Sequence, residues 1–205
     1  MGSFTNYQFD RRFTNYIHQN LATTQIYKIL NWTEAEISRE ELELMDLNDG
    51  IDYVFTDMFG NFKYCQERFR ESQYKRFNDF TIRFRRDYNP FEERKASEFS
   101  KIKAGYFIYG ITNGNKQQFE TNTDFIKYAV IDLDIVFMLL NNGRIEIDKS
   151  SKKSYIKGKI MYAGYNSNLD YSSSFIVLDI ELLHTMFNEF NIIIRQKGFY
   201  KDDYI

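Results

Sequence analysis

Phe9, Phe13, Ile17 and Leu21 recur four residues apart near the start of the chain, with Tyr16, Asn20 and Thr24 on the same face. That spacing predicts an amphipathic helix over "YQFDRRFTNYIHQNLATTQIYKIL", docked on a core. The acidic stretch "NWTEAEISREELELMDLNDG" offers Thr33 or Ser38 as caps of short helices and closes on Asn48, Asp49 and Gly50, a turn signal. "IDYVF" and "FKYCQERF" then predict two antiparallel strands joined around Asp57 to Asn61, where Gly60 and Asn61 supply turn residues. A third strand is predicted at "DFTIRFRR", Asp79 to Arg86, from the alternation of Phe80, Ile82 and Phe84, before Pro90 breaks the chain. "FEERKASEFSKIK" is helical in pattern, and "AGYFIYGIT" is an uninterrupted apolar run, the mark of a buried central strand. "DFIKYAVI" reads as a further strand and "DLDIVFMLLNNG" as a helix ended by Asn142 and Gly143. The remainder predicts a lysine-bearing hairpin in "RIEIDKSSKKSYIKGKIMYAG", then a strand leading into a helix in "SSFIVLDIELLHTMFNEF".

The order helix, three strands, helix, strand, followed by additions, points to the α/β class and to a sandwich built on one central mixed sheet rather than a repeating βαβ array. At 205 residues the chain suits a single domain over 1–205, with a core spanning about 8–140 and the segment 144–205 appended to it. With 20 Phe and 16 Tyr, ring packing fills much of that core. Cys65 is the one cysteine, so no intramolecular disulfide can form, and one cysteine with two histidines cannot build a Cys/His zinc site. A reducing, cytoplasmic location is expected. No window is apolar enough for a membrane span, and the N-terminus lacks the sections of a signal peptide. His18 and His184 sit in helical patterns without a partner motif and read as satisfied or surface residues. The chain has no P-loop, no dinucleotide glycine pattern and no serine nucleophile elbow.

Charge changes this picture more than composition does. The formal net charge of −2 argues against a strongly basic nucleic-acid binder, yet the average hides a segregation. From Asn31 to Asp52 eight acids and one base give −7; from Lys63 to Lys103 twelve bases and seven acids give +5. A local positive field of that kind attracts polyanions even on a near-neutral protein.

Residues two apart on a strand share a face. Tyr64, Gln66, Arg68 and Arg70 therefore project to one side of the second strand, and Lys63, Cys65, Glu67 and Phe69 to the other. With "GIDYV" as neighbour, Asp52 sits beside Gln66 and Arg68. A carboxylate, an amide oxygen and a cation at one sheet edge are parts that hold a magnesium ion and a phosphate; the same residues leave open an ordinary ion pair between Asp52 and Arg68. Glu67 faces the helix side, either paired with a residue such as Arg11 or Arg12, or swung into the site by a bulge. Arg70, Arg83, Arg85, Lys101 and Lys103 are candidate phosphate contacts, with Tyr74, Phe77 and Tyr88 interleaved for stacking. The lysines at 149, 152, 153, 157 and 159 either reach a groove or protect an edge from aggregation.

"GIDYV", followed after a short interval by "YCQERFR", resembles the Asp, Gln-x-Lys core of the Mrr-like branch of the PD-(D/E)xK nuclease superfamily, and "KAGYFIYGITNG" is similar to the strand and loop that complete such sheets. The resemblance covers roughly Phe9 to Leu140. It implies a restriction-endonuclease-like α/β/α sandwich and a DNA endonuclease dependent on Mg (or Mn), with Asp52 and Gln66 as metal ligands; Glu67 joins the catalytic candidates only through the bulge. Cutting both strands of a duplex implies a homodimer. The family's lysine falls on Arg68. Arginine stays protonated and cannot act as a base, though it can hold a phosphate or stabilise developing charge. The alternative is therefore a catalytically inactive nuclease-like module that binds nucleic acid or protein, the latter through the acidic segment 31–52.

Overall fold

The first apolar stripe forms a helix in three consecutive stretches. α-Helical Ser3–Ile17 passes into a π-helical stretch, His18–Tyr27, and a last turn, Lys28–Leu30. At the end of the π stretch the Lys28 N–H reaches the Thr23 carbonyl, five residues back. The wider turn brings His18, Leu21, Ala22, Ile26 and Tyr27 all inward, a broader buried face than α-helical spacing alone delivers. This is a computed structural model, and it describes residues 3–86, 98–168 and 173–201. Ser38 caps the next helix, Arg39–Asp49, by accepting from Glu41 N, and Gly50 ends it in the left-handed conformation, as the turn signal predicts.

Eleven strands are described: β1 Thr33–Glu34, β2 Tyr53–Thr56, β3 Phe62–Arg70, β4 Asp79–Arg85, β5 Tyr106–Thr112, β6 Phe125–Asp132, β7 Ile145–Ile147, β8 Tyr155–Lys157, β9 Ile160–Ser167, β10 Ser174–Asp179 and β11 Ile193–Lys197. They make two mixed sheets. The first runs β1-β2-β3-β5-β6-β11, with β3 and β5 parallel and every other pair antiparallel. The second runs β4-β10-β9-β7, with β8 also on β9. The protein is thus mixed α/β, with helices Glu98–Lys101, Leu133–Asn141 and Ile180–Met186 completing it.

One expectation needs correction here: the third strand does not join a single central sheet. β5 pairs in parallel with β3 from Cys65–Tyr106 to Arg70–Ile111, filling the second edge of β3. β4 instead opens the second sheet against β10, and its Phe80 and Ile82 pack with Phe107, Tyr109 and Ile111 of β5 between the sheets. Alternation fixes which residues of β4 are buried; it does not name the strand beside it. The C-terminal segment, expected as an addition, is woven into both sheets: β9 and β10 build the second, and β11 borders β6 in the first. Of the predicted helix over 91–103, residues 91–97 lie outside the described residues, Glu98–Lys101 is helical, and Ile102 and Lys103 are not.

A second core holds Phe13, Ile17, Leu21, Ile26 and Tyr27 of the N-terminal helix against Phe55, Cys65, Phe69, Ile108 and Phe125. β3 therefore separates two environments. Its positions 65, 67 and 69 face the helix core, and 66, 68 and 70 face the second sheet. Among the described residues no helix is long and apolar enough to cross a membrane.

Candidate functional site

Gly50, at φ 62°, turns the acidic helix into Ile51 and Asp52 at the start of β2. Asp52 brackets Gln66: its N–H donates to the Cys65 carbonyl at 2.8 Å, and its Oδ2 accepts from Glu67 N at 2.7 Å. These two bonds set Asp52 opposite Gln66, one position beyond the ladder that pairs Tyr53 with Cys65. Gln66 is only 8% exposed, and its Oε1 is buried without a hydrogen-bond partner. An orphaned buried acceptor costs about 1–3 kcal/mol, and a cation offsets that cost as well as a donor does. The chain segment carrying Lys101 and Lys103 borders the same point: Ile102 lies 3.6 Å from where a Cβ on Gly50 would stand, and the Gln66 amide nitrogen 3.7 Å.

The cations on this face are arranged on β4. Arg68 Nη1 donates to the Thr81 carbonyl at 2.8 Å and to Thr81 Oγ1 at 3.2 Å; Arg70 Nη2 donates to the same hydroxyl at 3.2 Å. β4 is the terminal strand of its sheet, so Arg68 links the two sheets across that edge. Arg70 also stacks on Tyr74, 4.7 Å from the ring centre, and its Nε is buried without a partner. Arg68 and Arg83 lie over one ring, Phe175, at 5.5 and 5.9 Å. Asp79, at the start of β4 and within electrostatic reach of Arg70, has its carboxyl pushed up to about 6 by burial and then by Asp179, its cross-strand partner. Lys103 is paired with Asp49 at 2.8 Å, Arg85 is exposed at the end of β4, and Lys101 ends its helix. Tyr88 lies outside the described residues. Asp52, Gln66, Arg68, Arg70 and Arg83 thus gather around β3 and the edge of β4. Tyr74, expected among the interleaved aromatics, joins them, and Thr81 and Phe175 join unpredicted, because long-range sheet pairing leaves no local pattern.

Glu67 is placed differently from the other site candidates. No bulge swings it toward Gln66; its side chain is fully buried on the helix side. Its partners are not Arg11 or Arg12 but His18, whose Nδ1 is 2.9 Å from Glu67 Oε1, and Tyr27, whose hydroxyl donates to the same oxygen. Arg11 lies farther out, exposed and paired with Glu43. A lone buried carboxylate costs several kcal/mol, a cost that a cation buried against it offsets. His18 supplies it: burial pushes its pKa down, but the Glu67 charge and hydrogen bonds to Glu34 and Glu67 outweigh this and raise it from 6.5 to about 9. Its Nε2 is 3.5 Å from Glu34 Oε2, and its ring stacks on Tyr53 at 3.6 Å. Burial, with the Glu67 charge, also pushes Tyr27 and Tyr53 well above the usual phenol range. The one signal in the sequence was the pairing of an apolar helix face with an inward strand acid, which calls for a partner without naming it.

A raised folded-state pKa means that the stability from His18 is fully present below 6.5 and is lost as pH rises through about 9. The magnitude is about 3 kcal/mol. Glu34, half-exposed with its pKa lowered chiefly by the His18 hydrogen bond, contributes with the opposite sense, its share lost as pH falls below 4.5. Urea unfolding at pH 6 and 9.5 is expected to show the loss in the wild type and a much smaller one in His18→Gln. Equal losses in both proteins contradict the assignment.

Among the described residues no group of three or more His, Cys, Asp or Glu is arranged to hold a metal ion. Two oxygens here are of the type a hard cation takes, Gln66 Oε1 and the Asp52 carboxylate, whose Oδ2 already accepts from Glu67 N. The fold and this site define a mixed α/β protein with a polar site at the edge between two sheets. In comparisons with known proteins, no family model, curated protein or solved structure matches the chain.

Proposed function

We propose that the chain is a metal-dependent DNA nuclease of the PD-(D/E)xK type, with β2, β3, β5 and β6 as the counterpart of that superfamily's central sheet. The observation that carries this reading is the buried, unpartnered Gln66 Oε1 beside Asp52, on a strand face that continues into Arg68 and Arg70. Asp52 and Gln66 would hold magnesium or manganese, which would supply Lewis-acid polarisation of the phosphodiester and a more acidic water. Arg70 takes a phosphate oxygen through its guanidinium, and Arg68, held on the same Thr81, fixes positive charge beside it. Hydrolysis adds water across the P–O3′ bond, leaving a phosphate on one fragment and a hydroxyl on the other. Arg68 cannot accept the water's proton, so it acts by charge and position alone. Cutting a duplex takes two such sites and hence two copies. The single thiol, Cys65, is fully buried and suits a reducing cytoplasm. Incubation of DNA with the protein and magnesium, against the same reaction in EDTA, tests this: metal-dependent cleavage is expected, and intact DNA with both magnesium and manganese contradicts it.

A second reading, a catalytically silent module that binds nucleic acid, is favoured by the double tie of Arg68 to Thr81 where the superfamily has lysine. Arg68→Lys separates the two. The nuclease reading expects cleavage in the wild type, changed by about tenfold or less in the variant. Cleavage only in Arg68→Lys supports the silent module.

A further inference from the structure

Phe62 and Tyr64 lie on the same face of β3 as Gln66, Arg68 and Arg70, and neither is absorbed by the core. Phe62 is 58% and Tyr64 38% exposed, and their rings stand 6.3 Å apart, tilted by 31°. β3 pairs with β2 and β5 without a register shift, so the rings and the arginines lie on one side of the strand, with the buried Gln66 between them. At about 3.3 Å per residue, Tyr64 stands about 13 Å from Arg68 along the strand. Two exposed rings followed by guanidinium groups on one line form a stacking platform continued by a phosphate contact, the combination that holds unpaired nucleotides. The acidic segment adds selectivity. It borders this face where Ala35 N donates to the Val54 carbonyl at 2.8 Å, Val54 being the cross-strand partner of Tyr64. The segment 31–52 carries a formal −7, part of it paired with His18, Arg11 and Lys103, so a second phosphate backbone brought to this edge meets net like charge, whereas one strand keeps its phosphates on the arginines.

We infer that Phe62 and Tyr64 stack unpaired bases, so that the substrate enters this site as single-stranded DNA or through a single-stranded flank. The inference rests on the nucleic-acid reading of the Gln66 face and names its substrate class. The test is fluorescence anisotropy with a labelled single-stranded oligonucleotide and its blunt duplex, in EDTA, across a salt series. Wild type is compared with the Phe62→Ala, Tyr64→Ala double variant and with Arg70→Gln. The wild type is expected to prefer the single strand; the double variant loses at least tenfold in single-strand affinity with its salt slope unchanged, while Arg70→Gln lowers the slope by about 0.7. If the wild type binds and the double variant binds equally well, the stacking inference is overturned and the phosphate site stands. If the wild type prefers the duplex, the inference is overturned as well. If the wild type binds neither, the underlying reading falls with it. Sedimentation of the same proteins adds one further outcome: a dimer that the double variant abolishes assigns the rings to a second copy and overturns the inference.

Discussion

Glu67→Ala is expected to lower the unfolding free energy by about 3–5 kcal/mol, the cost of removing one partner from a buried ion pair. The Glu67 side chain is fully buried and the His18 side chain 3% exposed, so water does not replace the lost carboxylate. Two donors are orphaned together, the His18 Nδ1 proton and the Tyr27 hydroxyl, because both converge on Glu67 Oε1. Glu67→Gln keeps the shape and an acceptor oxygen, so a smaller loss, about 1–3 kcal/mol, is expected. It also brings the His18 pKa down, since the Glu67 charge is its largest upward influence. Urea denaturation of the three proteins at pH 6 measures the first effect and NMR titration of the His18 ring the second. A Glu67→Ala protein as stable as the wild type contradicts the paired-charge account of this cluster.

The second large effect concerns activity. Asp52→Asn retains an oxygen to accept from Glu67 N, so the junction of β2 and β3 is kept while the negative charge is lost. Loss of a charged metal ligand removes several kcal/mol of transition-state stabilisation, and magnesium-dependent cleavage is expected to fall by about 10²- to 10³-fold. The comparison is made at saturating magnesium and at equal folded fraction by circular dichroism. Residual activity equal to the wild type sinks the role given to Asp52. The same rate restored by raising manganese supports it, because a weakened site is then refilled by mass action.

Local patterns in the sequence carried the elements well. The four-residue stripe from Phe9 to Leu21, the Ser38 cap, the Gly50 turn and the apolar run of β5 each depend on residues close in sequence, and each has its counterpart in the structure. The alternation along β3 likewise put Gln66, Arg68 and Arg70 on one face and Glu67 on the other. What local pattern could not carry was partnership. β4 obeys the alternation that predicted it but joins a second sheet, since β5 arrives from 36 positions beyond Arg70 at its parallel end to fill that edge. Thr81 became the anchor of two arginines for the same reason. His18 and Tyr27 are nine positions apart, a separation that α-helical spacing puts on different faces; the π-helical stretch aims both at Glu67. The partners expected for Glu67, Arg11 and Arg12, carried the right charge on the right helix, but histidine is the cation that can be buried there at moderate cost while keeping a ring to stack on Tyr53.

The claim on which the rest depends is that Asp52 and the orphaned Gln66 oxygen form a cation site. A crystal soaked in manganese, with anomalous scattering recorded for the wild type and for Asp52→Asn, tests it most directly. The account predicts a peak within about 2.0–2.4 Å of an Asp52 carboxylate oxygen and of Gln66 Oε1 in the wild type, and a weaker one in the variant at the same manganese concentration. A wild-type crystal with manganese bound elsewhere and none between these two residues contradicts it.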